Sequence, residues 1–244
     1  AGITGIFIHL VLKLPLLESF LVASVIGSTD AASVFNILRS KNLNLKENTA
    51  SLLEMESGSN DPVSYMLTVI LTAVLTGQSV NIGSMLFFQV FFGIGCGVLF
   101  GKSTAVVLNQ VDFDIAQGKT ILVFAAAILA YTVPSMIGGN GYLSVYLCGI
   151  ILGNSYLPHK RDMVLFFDVL TGVAQMMIFF LLGLLVTPSE LPQVILPSLV
   201  IMIFLTFVGR PVSVAALLAG FRSSKGQIGL VSWAGLRGVA SIVF

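Results

Sequence analysis

Glu54-Met55-Glu56-Ser57-Gly58-Ser59-Asn60-Asp61-Pro62 lies within residues 49–76, a segment otherwise suited to crossing a bilayer. Helical spacing decides what this polar stretch can do. Ser57, Asn60 and Asp61 stand at i, i+3 and i+4 and share one face, while Glu56 and Asn60 stand four apart and share the adjoining one. Pro62 has no N–H to donate to the fourth residue back, so the carbonyl of Gly58 is freed at this level. Hydroxyl, carboxylate and carbonyl oxygens are what hard cations such as sodium or potassium prefer, by analogy with the oxygen ligands of calcium. A single carboxylate among neutral oxygens also lets a proton compete with the cation for the same charge. Glu54 lies nearer a basic loop and reads as a cytoplasmic funnel residue.

The rest of the chain explains why these acids sit where they do. Of 244 residues, 56% are hydrophobic and 9% are charged, against about 25% charged in soluble domains. The apolar runs recur near the ~20 residues needed to cross ~30 Å of hydrocarbon. Nine candidate spans follow: 1–12, 16–38, 49–76, 82–100, 120–137, 142–157, 165–186, 196–218 and 228–244. Pro15, the 77–81 stretch, the run Gly138-Gly139-Asn140-Gly141, Pro158, Pro188, Pro192 and Gly220 fall between them. The fold class is therefore an all-α polytopic membrane protein, with residues 1–244 forming one transmembrane transport domain. The chain opens and closes inside apolar runs, without a basic start or a cleavage site, and is expected to be an internal fragment truncated at both ends.

Charge tests the span count, because cytoplasmic loops collect Lys and Arg. Alternate loops hold Arg39, Lys41, Lys46, Lys102, Lys119, Lys160, Arg161, Arg222 and Lys225, nine of the twelve basic residues, and the intervening loops hold only Lys13. The basic loops are thus expected in the cytoplasm. The remaining two, Arg210 and Arg237, fall inside spans. With Asp30, Glu56 and Asp61 they make five charges at membrane depth. Unpaired, five would cost on the order of 12 kcal/mol, as much as the whole stability of a typical domain. They must pair, titrate or face water, and intramembrane charges of this kind mark ion or proton paths.

Asp30 ends Gly27-Ser28-Thr29-Asp30, a run of poor helix formers whose side chains compete for backbone hydrogen bonds. Local unwinding is expected there. Irregular backbone at this depth lines cavities and forms the cation sites of secondary transporters. Arg210, followed by Pro211 in an apolar run, requires an anionic partner, for which Glu56 is the natural candidate. Arg237, in Gly235-Leu236-Arg237-Gly238, could balance charge near the site. Asp168 and Glu18 read as interfacial, and His9 and His159 have no metal-ligand spacing.

Soluble motifs fail. Gly101-Lys102-Ser103 mimics the end of a phosphate loop, but the glycine required five positions earlier is Cys96. Gly93, Gly97 and Gly101 form a small-residue stripe suited to close helix packing or a dimer face. Cys96 and Cys148 lie in apolar runs as packing residues, and a net charge of +1 offers no surface for nucleic acid.

Thr29-Asp30, Glu56-Ser57, Asn60-Asp61, Arg210-Pro211 and Gly235-Leu236-Arg237-Gly238, in this order, resemble the NhaP-type monovalent cation/proton antiporters. The wording of 27–32, 54–62 and Tyr146-Leu147-Cys148-Gly149 looks closest to the bacterial potassium/proton branch, the cell-volume-regulation antiporters. The resemblance covers essentially the whole chain. It implies an inverted-repeat fold with crossed, unwound helices at mid-membrane, and a homodimer in the bacterial inner membrane serving pH homeostasis or volume regulation. It implies antiport of potassium or sodium against protons, with no enzymatic activity and no cofactor beyond the transported ions; by charge count the exchange is expected to be electroneutral, provided Glu56 is neutralised by Arg210 and Asp30 keeps one protonation state. Asp61 would exchange cation for proton, with Asp30, Thr29 and Ser57 completing or bordering the site. Asn60 would orient Asp61, and Glu56 would pair with Arg210. The derived topology agrees: the Asp30 span runs outside to inside and the Arg237 span inside to outside, as inverted counterparts must. Many relatives carry proline after Thr-Asp where this chain has Ala31, a feature shared with the branch named above. The chain would lack the first helices, the last helix and any cytoplasmic regulatory domain.

Two other classes compete. A cation channel could use the same acids as a selectivity ring, but filters are usually built from repeated carbonyl loops in symmetric subunits. An intramembrane aspartyl protease could use Asp30 and Asp61, but the chain has no Gly-x-Gly-Asp motif. Another ion-coupled transporter is the remaining alternative.

Overall fold

Where apolar runs meet prolines and glycines, the chain breaks into helices. The computed structural model describes residues 1–30, 45–79, 81–111, 117–157, 160–221 and 223–235, and every regular element among them is helical. Ala31, Arg39, Lys41, Pro158, His159, Arg222, Leu236, Arg237 and Gly238 lie outside the described residues. The elements are α1 (Gly2–Leu12), α2 (Leu16–Val25), α3 (Thr49–Leu75), α4 (Ile82–Gln110), α5 (Gly118–Met136), α6 (Gly141–Asn154), α7 (Lys160–Leu185) and α8 (Leu191–Phe204). A π-helical turn, Leu205–Gly209, joins α8 to α9 (Arg210–Leu218), and after one 3-10 turn comes α10 (Lys225–Trp233). The chain divides into two compact units, 1–78 with 182–244, and 79–181.

In the first unit α1 packs on α2 and α2 on α3. A β-carbon on Gly5 would lie 2.9 Å from the Phe20 ring, so α1 and α2 approach as closely as a bare backbone allows. Phe7 of α1 stacks on Phe204 of α8 with ring centroids 3.6 Å apart. A second apolar cluster, Leu53, Val214 and Val231, joins α3, α9 and α10. The helix containing α2 stops at Val25, and 28–30 carry no helical pattern, as the run of poor helix formers predicts. The helix α10 stops at Trp233, and Ala234 and Gly235 carry no helical pattern. Pro211 accounts for the π turn: it cannot donate to Phe207, and its ring would clash with that carbonyl in a regular helix.

In the second unit the glycine stripe packs α4 against α6. A β-carbon on Gly97 would sit 2.7 Å from the Ser144 carbonyl oxygen and 2.9 Å from Leu147 Cβ, and one on Gly101 3.0 Å from Ile151 Cβ. Gly138, at φ 78°, turns the chain into α6, whose N-cap Asn140 accepts from the Leu143 amide at 3.0 Å. Leu108, Ala130, Cys148, Leu152, Leu157 and Met163 form the unit's core, with Cys148 buried and unpaired with another thiol. Gly97→Leu is expected to destabilise by about 2–3 kcal/mol through overpacking. Gly95→Leu on the same helix, where a β-carbon meets open space, should melt in detergent close to the parent; equal melting of both variants would refute this account of the stripe.

Helix ends correct the sequence reading at several boundaries. Residue 100 marks the end of an apolar run, but α4 continues to Gln110, 29 residues or roughly 43 Å. Lys102 therefore lies on a helix and not in a loop, and Lys119, Lys160, Arg161 and Lys225 belong to first turns of α5, α7 and α10. Composition marks where hydrocarbon ends, whereas backbone hydrogen bonding carries the helix on into the interface. The run read as 196–218 starts at Leu191, with Pro192 in the first turn, where its missing N–H costs nothing. Among the described residues, Ile82–Gln110, Gly118–Met136, Lys160–Leu185 and the continuous Leu191–Phe221 are long and apolar enough to cross a membrane. The 27 residues of α3 are also long enough, and its polar stretch is what lowers its hydropathy.

Candidate functional site

The polar face of α3 meets the unwound end of α2. Ser57 Oγ donates to the Thr29 backbone carbonyl, and Asn60 Nδ2 donates to Thr29 Oγ1 at 3.1 Å. Ser28 Oγ donates to Asp61 Oδ1. The three residues that i, i+3, i+4 spacing places on one face thus all address the same two residues, Ser28 and Thr29. A residue of the unwound segment reaches α3 because its backbone groups no longer belong to a helix and its side chains can turn toward the neighbour. Below this point Ser24 Oγ lies 3.0 Å from Thr68 Oγ1, and Thr68 Oγ1 donates to the Ser64 carbonyl at 2.8 Å, extending a line of hydroxyls along the α2–α3 seam.

On the adjoining face of α3, Glu56 receives both arms of the Arg210 guanidinium, Nη1 to Oε1 at 2.9 Å and Nη2 to Oε2 at 3.0 Å. This bidentate fork is the geometry in which arginine and a carboxylate bind best. Arg210 is buried, 8% exposed, and Glu56 is 25% exposed. The guanidinium also donates Nε to the Val231 and Ser232 carbonyls at 3.1 and 3.2 Å, and Nη2 to Val231 at 2.9 Å. Those carbonyls belong to the last turn of α10, where helix carbonyls lack the partners found in a helix interior. Gly235 makes room for this grip: a β-carbon there would stand 2.1 Å from Arg210 Nε. Thr29, Asp30, Glu56, Ser57, Arg210 and Ala234 line one narrow crevice.

Seven of the eight residues singled out from sequence, Asp30, Thr29, Ser57, Asn60, Asp61, Glu56 and Arg210, fall in this one region; Arg237 lies outside the described residues. Sequence reasoning left out Ser28, although it belongs to the same polar run, and also the Val231 and Ser232 carbonyls and the steric role of Gly235. Glu54 carries no part of this network and stays exposed on α3.

Carboxylates set against the unwound end of a helix, in a chain with helices of bilayer length, mark an integral membrane protein. The chain belongs to the family whose model is described as "Sodium/hydrogen exchanger, transmembrane", which matches residues 1–244. It is 36% identical over 245 residues to the K(+)/H(+) antiporter NhaP of Alkalimonas amylolytica, and 35% identical over 247 residues to the K(+)/H(+) antiporter NhaP2 of Shewanella baltica (strain OS223). Each match covers 99% of this chain and 42% of the relative, so the chain spans about two fifths of the length of these curated relatives. The solved structure of the sodium proton antiporter MjNhaP1 from Methanocaldococcus jannaschii at pH 8 superposes with a TM-score of 0.85 and 26% identity, over 98% of this chain and 62% of that one. These relatives are transporters, not enzymes, and with its apolar helices the chain is an integral protein of the bacterial plasma membrane.

Proposed function

We propose that the full-length protein exchanges a monovalent cation, potassium or sodium, for protons, works as a homodimer and serves pH homeostasis or cell-volume regulation. The observation that carries this reading is the Asp61 carboxylate on a polar helix face, set against the unwound 28–30 segment with hydroxyl and carbonyl oxygens around it. Asp61 offers one negative charge, for which a proton and a cation compete. Thr29, Ser57 and Asp30 border it, and Asn60 is held by Thr29 so that it stays beside Asp61 on the same helix turn. The names of the bacterial relatives favour potassium. Cation-driven dissipation of a pH gradient in vesicles containing the full-length protein, compared for potassium and sodium, tests the reading. Uncoupled cation current without proton movement would reject it in favour of a channel.

Counting charges gives the stoichiometry. The bidentate Arg210 neutralises Glu56, so, provided Asp30 keeps one protonation state, Asp61 alone exchanges one proton for one cation and the cycle moves no net charge. Exchange is expected to be electroneutral. A potential acts on moved charge at ~2.3 kcal/mol per elementary charge per 100 mV, so imposed diffusion potentials of either polarity should leave initial rates unchanged. A rate that follows polarity would assign a second titrating role to Asp30.

A further inference from the structure

At their N-terminal ends, α3 and α10 are joined a second time by contacts that the exchange site does not use. Ser224 caps α10 by accepting from the Gln227 amide at 3.2 Å, and its hydroxyl donates to Glu47 Oε2 at 2.7 Å. Gln227 Nε2 donates to the Glu47 carbonyl at 3.1 Å. Glu47 and the following Asn48 both adopt left-handed backbone, φ 59° and 53°, conformations that non-glycine residues hold only where their surroundings fix them. The carboxylate of Glu47 therefore stands at the positive end of α10, where a negative charge is favoured. Farther along the same two helices, Glu56 and Arg210 bind α3 to the opposite end of α10 through Val231. Nine residues separate Glu47 from Glu56 and seven separate Ser224 from Val231, roughly 13 and 10 Å of helix, and Leu53, Val231 and Ile228 fill the space between.

We infer that Glu47 is a positioning residue: by clasping the start of α10 it fixes where that helix ends, and so where Arg210 and Glu56 sit beside the exchange site, and α3 and α10 stay joined as one body throughout transport. The inference rests on the exchange reading above. Fixing only one end of a short helix leaves its other end free to swing. With both ends held, the carbonyls of Val231 and Ser232 are presented to the guanidinium in one register, and the charge of Glu56 stays neutralised.

The test uses the full-length protein in vesicles, with potassium as the probe cation. Glu47→Ala is expected to raise the apparent KM for the cation about threefold or more, and Glu47→Gln, whose amide oxygen still accepts from Ser224, to restore it to within about twofold. Loss of folded protein alone would lower the maximal rate and leave KM unmoved, and that result would overturn the proposal. In a Glu47→Cys/Ser224→Cys protein, bridging the thiols with a short bifunctional reagent is expected to bring KM back toward the parent value while exchange continues. Bridging that stops exchange would overturn it too, since the clasp would then have to open in the cycle. Because bridged and unbridged samples are the same protein, folding defects cannot imitate either result. Absence of cation-dependent proton flux in the unaltered protein would defeat the exchange reading, whereas flux with an unmoved KM in Glu47→Ala defeats this inference alone.

Discussion

Asp61→Asn is expected to reduce cation-dependent proton flux to the level of empty vesicles while leaving the protein folded. The substitution is nearly isosteric, and an asparagine oxygen can still accept the Ser28 hydroxyl that Asp61 now accepts. The packing of α3 on the unwound end of α2 through Ser57 and Asn60 does not involve the carboxylate charge. On the exchange reading proposed above, what disappears is the single charge for which proton and cation compete, and no neighbouring group on that face of α3 supplies another at the same place. Wild-type exchange should show an apparent cation affinity that falls as pH drops, because protons occupy the same carboxylate. Glu54→Gln, on the same helix but outside the network, should retain flux. Flux retained in the Asn variant, with a melting temperature close to the parent, would remove Asp61 from the centre of the mechanism.

The second large effect is expected at the ion pair. Removing either partner of a buried pair orphans the other charge, at about 3–5 kcal/mol. Glu56→Ala leaves Arg210 with only the carbonyls of α10, whereas Arg210→Ala exposes both the Glu56 charge and the unsatisfied Val231 and Ser232 carbonyls. Arg210→Ala should therefore be the more damaging of the two. Glu56 is a quarter exposed, so water screens its orphaned charge and puts its cost toward the low end of that range. The double variant should lose less than the sum of the single losses, since the orphaned charge is gone. Thermal unfolding in detergent reads all three; a double loss equal to the sum would mean that the two side chains do not stabilise one another.

How much of this was legible from the chain depends on whether a residue type announces its need. A permanently charged guanidinium in an apolar run needs an anion, which is why Arg210 and Glu56 could be matched across 154 positions. The face of α3 follows from helical periodicity alone, and the unwinding before Asp30 follows from a run of residues that compete with helix hydrogen bonds. Ser28 was illegible as a partner of Asp61, because a serine hydroxyl can equally well bond to its own backbone. The carbonyls held by Arg210 belong to Val231 and Ser232, but every residue has a carbonyl, so sequence cannot single them out. The π turn before Arg210 is carried by Leu205, Thr206, Phe207, Val208 and Gly209, where only the nearby Pro211 hints at irregular winding. The clasp at Glu47 depends on left-handed backbone at two residues that have no glycine to signal it.

The carbonyl end of a helix is a natural resting place for a cation, since it carries partial negative charge. At the end of α10 that place is already taken by the Arg210 guanidinium, whose side chain fills the volume a β-carbon on Gly235 would need. Arg210 thus acts as a tethered ion that never dissociates. The protein carries two cation-seeking elements on neighbouring segments, the end of α10 and the oxygens around Asp61, and it keeps one of them permanently satisfied from within. On the exchange reading proposed above, turnover is left to the other alone, so the arginine sets how many ions a cycle can carry without itself being one of them.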